Sequence, residues 1–328
     1  LSRFFGRPIR MKAGVVLPEN FAKPGLRFPT VYHVHGFGGD HSEAWRAKPA
    51  TKFNAVHVYL NANIPGGHHV FADSANNGPW GAALTQDLIP YLEKKYKLIP
   101  RPYARFLTGH SSGGWSTLWL QVAYPKFFGG TWPTAPDSVD FKSFTGIDVT
   151  PGSSQNAYLT KDGRPLSLVR MNGKEIVTLK DFALQERVTG DHGGQLASFE
   201  WVFSPKGDDG RPMPLFNRVT GVIDPAIAEY WRKYDISYQV QTRWAELGPL
   251  LRGKIRLVIG DQDTFHLEEA AKLFCSFMKS KGAEDACEIV PERDHMNLFK
   301  ANKTYPDGLM KRIEDEMARQ FVKNRPKP

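Results

Sequence analysis

Apolar positions along this chain change their period several times. In Thr30–Gly36 (TVYHVHG) and Ala55–Asn61 (AVHVYLN), β-branched and apolar residues crowd into short runs that end abruptly, as buried strands do. Ala104–Gly109 (ARFLTG), Lys254–Gly260 (KIRLVIG) and Ala286–Val290 (ACEIV) have the same character. Between these runs the period lengthens. Trp80–Tyr96 places Leu84, Leu88, Tyr91, Leu92 and Tyr96 at helical spacing, and Pro90 is expected to kink that helix. Gly114–Tyr124 predicts a helix stopped by Pro125. His266–Ser280 puts Leu267, Ala271, Phe274 and Met278 on one face, and Asp307–Val322 does so with Leu309, Ile313, Met317 and Phe321. Strands alternating with helices predict an α/β fold with a mostly parallel sheet covered on both faces.

The rhythm breaks between about Pro133 and Pro249, where Gly, Pro, Asp and Ser are frequent and aromatic clusters such as SFEWVF and EYWRKYD appear. Residues 1–132 and 250–328 therefore read as one core, and residues 133–249 as a long insertion with structure of its own, because a loop of that length without structure is improbable.

With 328 residues, 41% of them hydrophobic, the chain is long enough for one large core. No apolar run reaches the length needed to span a membrane. The net charge of +9 comes from lysines and arginines scattered along the chain with no nucleic-acid motif beside them, so a solvated basic surface is expected and a nucleic-acid partner is not. Cys275 and Cys287 are the only cysteines; a disulfide and two buried thiols both fit, and no Cys/His spacing suits zinc. The first residue is Leu1, with no apolar leader after it; a removed leader stays open and the start of the chain decides nothing, so the location is left open, with a secreted or periplasmic one favoured.

One stretch carries chemistry. In Gly109–Gly113 (GHSSG) a G-x-S-x-G frame lies between a predicted strand and a predicted helix, where a serine on a tight turn is exposed as a nucleophile. The frame selects Ser111 over Ser112, which has no glycine two positions before it; helix capping by the serines is the competing explanation. A serine hydroxyl needs a base, and the base needs an orienting acid. Of the histidines after Ser111, His192 sits inside the insertion and His266 opens a helix, whereas His295 follows the last predicted strand, so elimination favours His295. Past the strand RLVIG stand Asp261 and Asp263; Asp263 is far enough into the loop to face the histidine, and Asp261 suits a turn. His35-Gly36-Phe37-Gly38-Gly39 follows an early strand, where a loop contributes a backbone N–H to an oxyanion hole; the donors are then Phe37 and Ser112. His33 with His35, and His68 with His69, lack a third ligand and are expected to be structural rather than metal-binding.

These motifs together resemble the esterase family of α/β-hydrolases that includes S-formylglutathione hydrolases, feruloyl and acetylxylan esterases, enterochelin esterases and mycolyltransferases. HGFGG resembles the family's oxyanion loop, FADSANNGPWG a segment of its S-formylglutathione hydrolases, GHSSGG its elbow, GDQDTFHL its acid loop and RDH its histidine loop. The resemblance implies an α/β-hydrolase fold and a serine esterase with Ser111, Asp263 and His295 as triad and Phe37 and Ser112 as oxyanion donors. Such chemistry needs no metal or organic cofactor. Ser111 and Asp263 are further apart than in typical S-formylglutathione hydrolases, which argues against a glutathione thioester. A cap over the active site is the expected role of residues 133–249; Trp201, Phe203, Trp231, Tyr234 and Trp244 are candidate pocket residues, each expected on its own to be core of the cap instead, and Trp80 is the better candidate for a pocket wall. The expected partner is a small-molecule or carbohydrate-linked acetyl or hydroxycinnamoyl ester. An acyltransferase on the same triad, a peptidase and a non-catalytic binding protein on this scaffold are the alternatives. The sequence leaves the oligomeric state open.

Overall fold

The computed structural model describes residues 1–47, 53–189 and 194–326. The five apolar runs become strands of a seven-stranded sheet, which also takes in Ala13–Val16 and Gly130–Thr134, two strands the periodicity did not mark. Its strands are β1 (Ala13–Val16), β2 (Thr30–Val34), β3 (Val56–Leu60), β4 (Arg105–His110), β5 (Gly130–Thr134), β8 (Leu257–Gly260) and β9 (Cys287–Val290), in the order β1-β3-β2-β4-β5-β8-β9. Two strands outside it, β6 (Ser167–Met171) and β7 (Lys174–Thr178), pair only with each other.

Only β1 runs antiparallel, against β3; the other neighbours are parallel, with Val34 opposite Gly109 and Gly109 opposite Pro133. Because the strands are parallel, both faces must be covered. Val31 and Phe106 face one apolar cluster with Trp115 and Trp132, while Tyr32 and Leu107 face another with Val58 and Leu84. The first of these clusters also takes in Phe141, Phe199, Phe203 and Trp231, so residues from 133–249 share one continuous apolar core with the sheet.

The expected helix from Trp80 forms as α1 (Trp80–Ala83) and α2 (Ile89–Lys95), joined by a π-turn over Leu84–Leu88. The irregularity expected at Pro90 takes the form of this widened turn, and Pro90 stands at the second position of α2. The helix after Ser111 is α3 (Ser112–Ala123). The middle segment contributes α4 (Leu179–Thr189), α5 (Gln195–Phe203), α6 (Pro225–Trp231), α7 (Ile236–Thr242) and α8 (Trp244–Leu251). The two C-terminal stripes form α9 (Leu267–Ser280) and α10 (Leu309–Asn324). Cys275 on α9 and Cys287 on β9 form a disulfide, their Cα atoms 5.7 Å apart. Among the described residues no helix is long and apolar enough to cross a membrane.

The C-terminal ends of β2, β4, β5, β8 and β9 lie on one edge of the sheet. The loops carrying Phe37, Ser111, Asp137, Asp263 and His295 leave from that edge. The chain builds outward from β2 to β3 on one side and from β4 to β5 on the other. The crevice between β2 and β4 is thus the reversal point where parallel sheets hold ligands.

Candidate active site

Ser111 stands where β4 ends and α3 begins, with φ 59° and ψ −125°. L-residues seldom adopt that conformation, and it persists only where the surroundings enforce it. The enforcement is visible at Gly113: a Cβ there would lie 1.9 Å from the carbonyl oxygen of Val34. Only glycine lets the helix start so close to β2. Ser111 occupies the N-cap position, yet its hydroxyl bonds none of the helix N–H groups, so helix capping does not account for it.

Asp263 is fully buried on the loop after β8, and its Oδ2 lies 2.8 Å from Nδ1 of His295. Its Oδ1 accepts the Phe265 N–H at 2.9 Å. With the carboxylate accepting at Nδ1, that nitrogen carries the proton and Nε2 has a free lone pair, the tautomer a base requires. Asp261 does not face the imidazole. It accepts the Glu292 N–H at 2.7 Å and so ties the acid loop to the histidine loop.

The β6–β7 hairpin adds a second brace: Arg170 donates from Nε to the Asp263 carbonyl at 2.9 Å and pairs with Glu268 at 2.5 Å. His295 is boxed by Phe265, edge-on at 4.9 Å between ring centres, and by His110 at 4.4 Å. Burial pushes His110 down to about 3, so its ring adds no charge near neutral pH.

The loop after β2 approaches the elbow directly, since a Cβ on Gly36 would be 3.4 Å from that of Ser111. Histidines hold this loop from behind. His35 accepts the Ala62 N–H at Nε2 (2.9 Å) and donates from Nδ1 to the Gly36 carbonyl (2.7 Å). His68 accepts the Val70 N–H at Nδ1 and donates from Nε2 to the His35 carbonyl, each at 3.0 Å. Burial keeps both rings neutral, pushing His68 down to about 3. All four nitrogens are spent on backbone groups, which leaves none for a metal. His33 pairs with His57 at 2.9 Å, and His69 stacks on Trp80 at 3.9 Å. The Ser112 N–H, next to the nucleophile candidate, is at the first position of α3, where no carbonyl within the helix can accept it.

Phe37, Ser111, Gln195, Phe265, His295 and Phe299 line one cleft of about 380 Å³. In this structure the Ser111 hydroxyl donates to Asp137 Oδ1, at 3.3 Å, rather than to His295. Asp137 and Gln195 were not singled out from sequence. The signal available for Asp137 was its place just past β5, on the same sheet edge as the other loops.

The aromatic candidates fall elsewhere. Trp231 is 1% exposed, packs on Phe141, Phe144 and Phe203 and donates its indole N–H to Ser204 Oγ at 2.8 Å; it is core, not pocket. Trp80 is buried in the opposite cluster against His69, and Phe203 and Tyr234 are buried as well. An aromatic ring in a Gly- and Pro-rich segment looks solvent-facing only until its packing partner is known. Trp244 meets Phe277 edge-on. Trp201, half-buried on α5, lines a different pocket with Arg187, Glu200 and Arg218. His266 lies 3.3 Å from Ser167 Oγ, away from the elbow, and His192 lies outside the described residues.

Residues 7–302 match the Esterase family model, described as "Putative esterase". No curated protein matches the chain in sequence. Among solved structures, the fluorophosphonate-binding serine hydrolase FphF of Staphylococcus aureus aligns with 94% of this chain and 92% of its own, at 15% identity and a TM-score of 0.53. A ferulic acid esterase aligns over the same shares at 14% identity and a TM-score of 0.54. An S-formylglutathione hydrolase of Agrobacterium tumefaciens covers 95% of this chain and 90% of its own, at 15% identity and a TM-score of 0.52. At such identities these likenesses speak for the fold, which is that of the α/β-hydrolases.

Proposed function

The chain belongs to the esterase family, and from that premise we propose that it is a serine carboxylic-ester hydrolase with Ser111 as nucleophile, His295 as base and Asp263 as the group that orients the imidazole. The observation that carries this reading is the buried Asp263–His295 pair, bonded at 2.8 Å, opening onto the same cleft as a serine with φ 59°.

In the reaction, Ser111 Oγ turns from Asp137 toward His295 and attacks the ester carbonyl while Nε2 takes its proton. Resting-state hydrogen bonds of this kind are often loose and tighten only with substrate. The Phe37 and Ser112 N–H groups take the charge that develops on the carbonyl oxygen; a single such donor is worth about 2.7–4 kcal/mol in a well-studied protease. His295 then protonates the departing alcohol, and water activated by the same nitrogen releases the acid from Ser111. The substrate is a small-molecule or carbohydrate-linked ester. Phe37, Phe265 and Phe299 offer an apolar wall that suits an acetyl or hydroxycinnamoyl group.

Ser111→Ala is expected to lower hydrolysis of an aryl acetate by about a millionfold, the loss seen on removing a triad serine elsewhere. Initial rates on the purified variant measure it, and activity within tenfold of wild type would assign the nucleophile to another residue.

A further inference from the structure

The proposed mechanism leaves one buried carboxylate unused, and it touches the nucleophile. Asp137 is 4% exposed. Its Oδ1 accepts from Ser111 Oγ at 3.3 Å, its Oδ2 accepts from Ser112 Oγ at 2.5 Å, and its own N–H donates to the Ser111 carbonyl at 3.2 Å. Its loop is held firmly: the Ser111 N–H donates to the Thr134 carbonyl (3.1 Å), and the Ala135 N–H to that of Val258 (2.8 Å), with Ala135 at φ 36°. A non-glycine residue in that region costs free energy that the surroundings must offset.

Neither serine needs an anion to satisfy it. A hydroxyl at the start of a helix can bond a backbone carbonyl one turn back, as Ser116 does with the Ser112 carbonyl at 2.6 Å. Burying a carboxylate, in contrast, is costly unless it is hydrogen-bonded. An anion whose side chain, among the described residues, is bonded only by the elbow's two hydroxyls is best explained by an effect on the elbow.

We propose that Asp137 is a positioning residue of this esterase: as a carboxylate it holds the Ser111 and Ser112 hydroxyls before substrate arrives, and its charge supports the imidazolium of His295 during acylation. The inference rests on the reading of Ser111 as nucleophile. In the step itself the Ser111 O–H bond breaks, a bond from Oγ to the carbonyl carbon forms and Nε2 of His295 gains the proton. Asp137 exchanges no proton; it gives up the Ser111 hydrogen bond and keeps that of Ser112. Keeping it aims the residue whose N–H is the expected oxyanion donor.

Ser111 and Ser112 bond this carboxylate directly, and His295 after β9 and Asp263 after β8 act on it through their charge. Burial pushes Asp137 up to about 6, with the two hydroxyls and His295 opposing and Asp263 assisting. The supporting charge is therefore present above that pH and lost below it.

With a neutral aryl acetate, kcat of Asp137→Asn, which keeps shape but not charge, is expected to be about tenfold or more below that of the wild type at pH values where Asp137 is ionised, the equivalent of one pKa unit of support, with KM little changed. The ratio of wild-type to variant kcat should shrink toward one as the pH falls and Asp137 itself loses its charge. A ratio that stays constant across the pH range overturns the inference, whatever its size, because a merely structural role is indifferent to the charge. If the wild type neither hydrolyses the ester nor reacts with a fluorophosphonate at Ser111, the reading of Ser111 fails and this inference with it; labelling at Ser111 with a constant ratio overturns the inference only.

Discussion

Asp263 accepts at both carboxylate oxygens, from the His295 ring on one side and from backbone N–H groups on the other. Asparagine at this position can keep the backbone bonds but presents an N–H to the imidazole, which selects the wrong tautomer and removes the charge that stabilises the imidazolium. Asp263→Asn is therefore expected to fold normally and lose about 10⁴-fold in kcat, the loss measured for the equivalent change in a serine protease; near-UV circular dichroism and steady-state kinetics on one preparation check both halves. Ser111 was legible in the sequence because the elbow is a local motif: glycines, strand and helix are all within a dozen residues of it. Asp137 was not, since its meaning depends on two loops, 26 residues apart, folding against each other. The tryptophans were ambiguous for the same reason in reverse: Trp231 is apolar enough for a pocket or a core, and only its contacts with Phe141 and Phe203 decide for the core.

The elements follow the apolar periods closely where a helix or strand buries one face. They depart where a backbone irregularity absorbs a difficult residue, as the π-turn before Pro90 does. The β6–β7 hairpin shows what the period alone overlooks. Asn172 and Gly173, with φ of 51° and 74°, form the two-residue turn that an Asn-Gly pair favours between strands, so the signal was present in the sequence. Its function was not. From that hairpin, Arg170 reaches the acid loop through its backbone N–H to Thr264 and its guanidinium to the Asp263 carbonyl, both at 2.9 Å, while pairing with buried Glu268. Arg170→Met is expected to lower kcat on the order of 10²-fold, as small displacements of reacting groups do, and to destabilise the fold by about 3–5 kcal/mol by leaving Glu268 buried and unpaired. Kinetics below the unfolding transition and a denaturant titration separate the two effects.

At the scale of the whole molecule, one sheet edge gathers residues that are far apart in the chain. Parallel strands point their C-terminal ends the same way, so residues 37, 111, 137, 263 and 295 meet without any contact between them in sequence. Apart from Asp137, that convergence was legible as an order of motifs along the chain, each placed just after a strand. The path of residues 133–249 was not, because packing into the main apolar cluster is decided by shape rather than by period. The central claim is that the convergence makes the Ser111 hydroxyl uniquely nucleophilic. The most direct measurement is mass spectrometry of the chain after reaction with a fluorophosphonate. The account predicts one adduct, on the peptide carrying Ser111, and its loss when His295 is replaced by alanine; an adduct at another residue, or none under conditions in which the ester is hydrolysed, would contradict it.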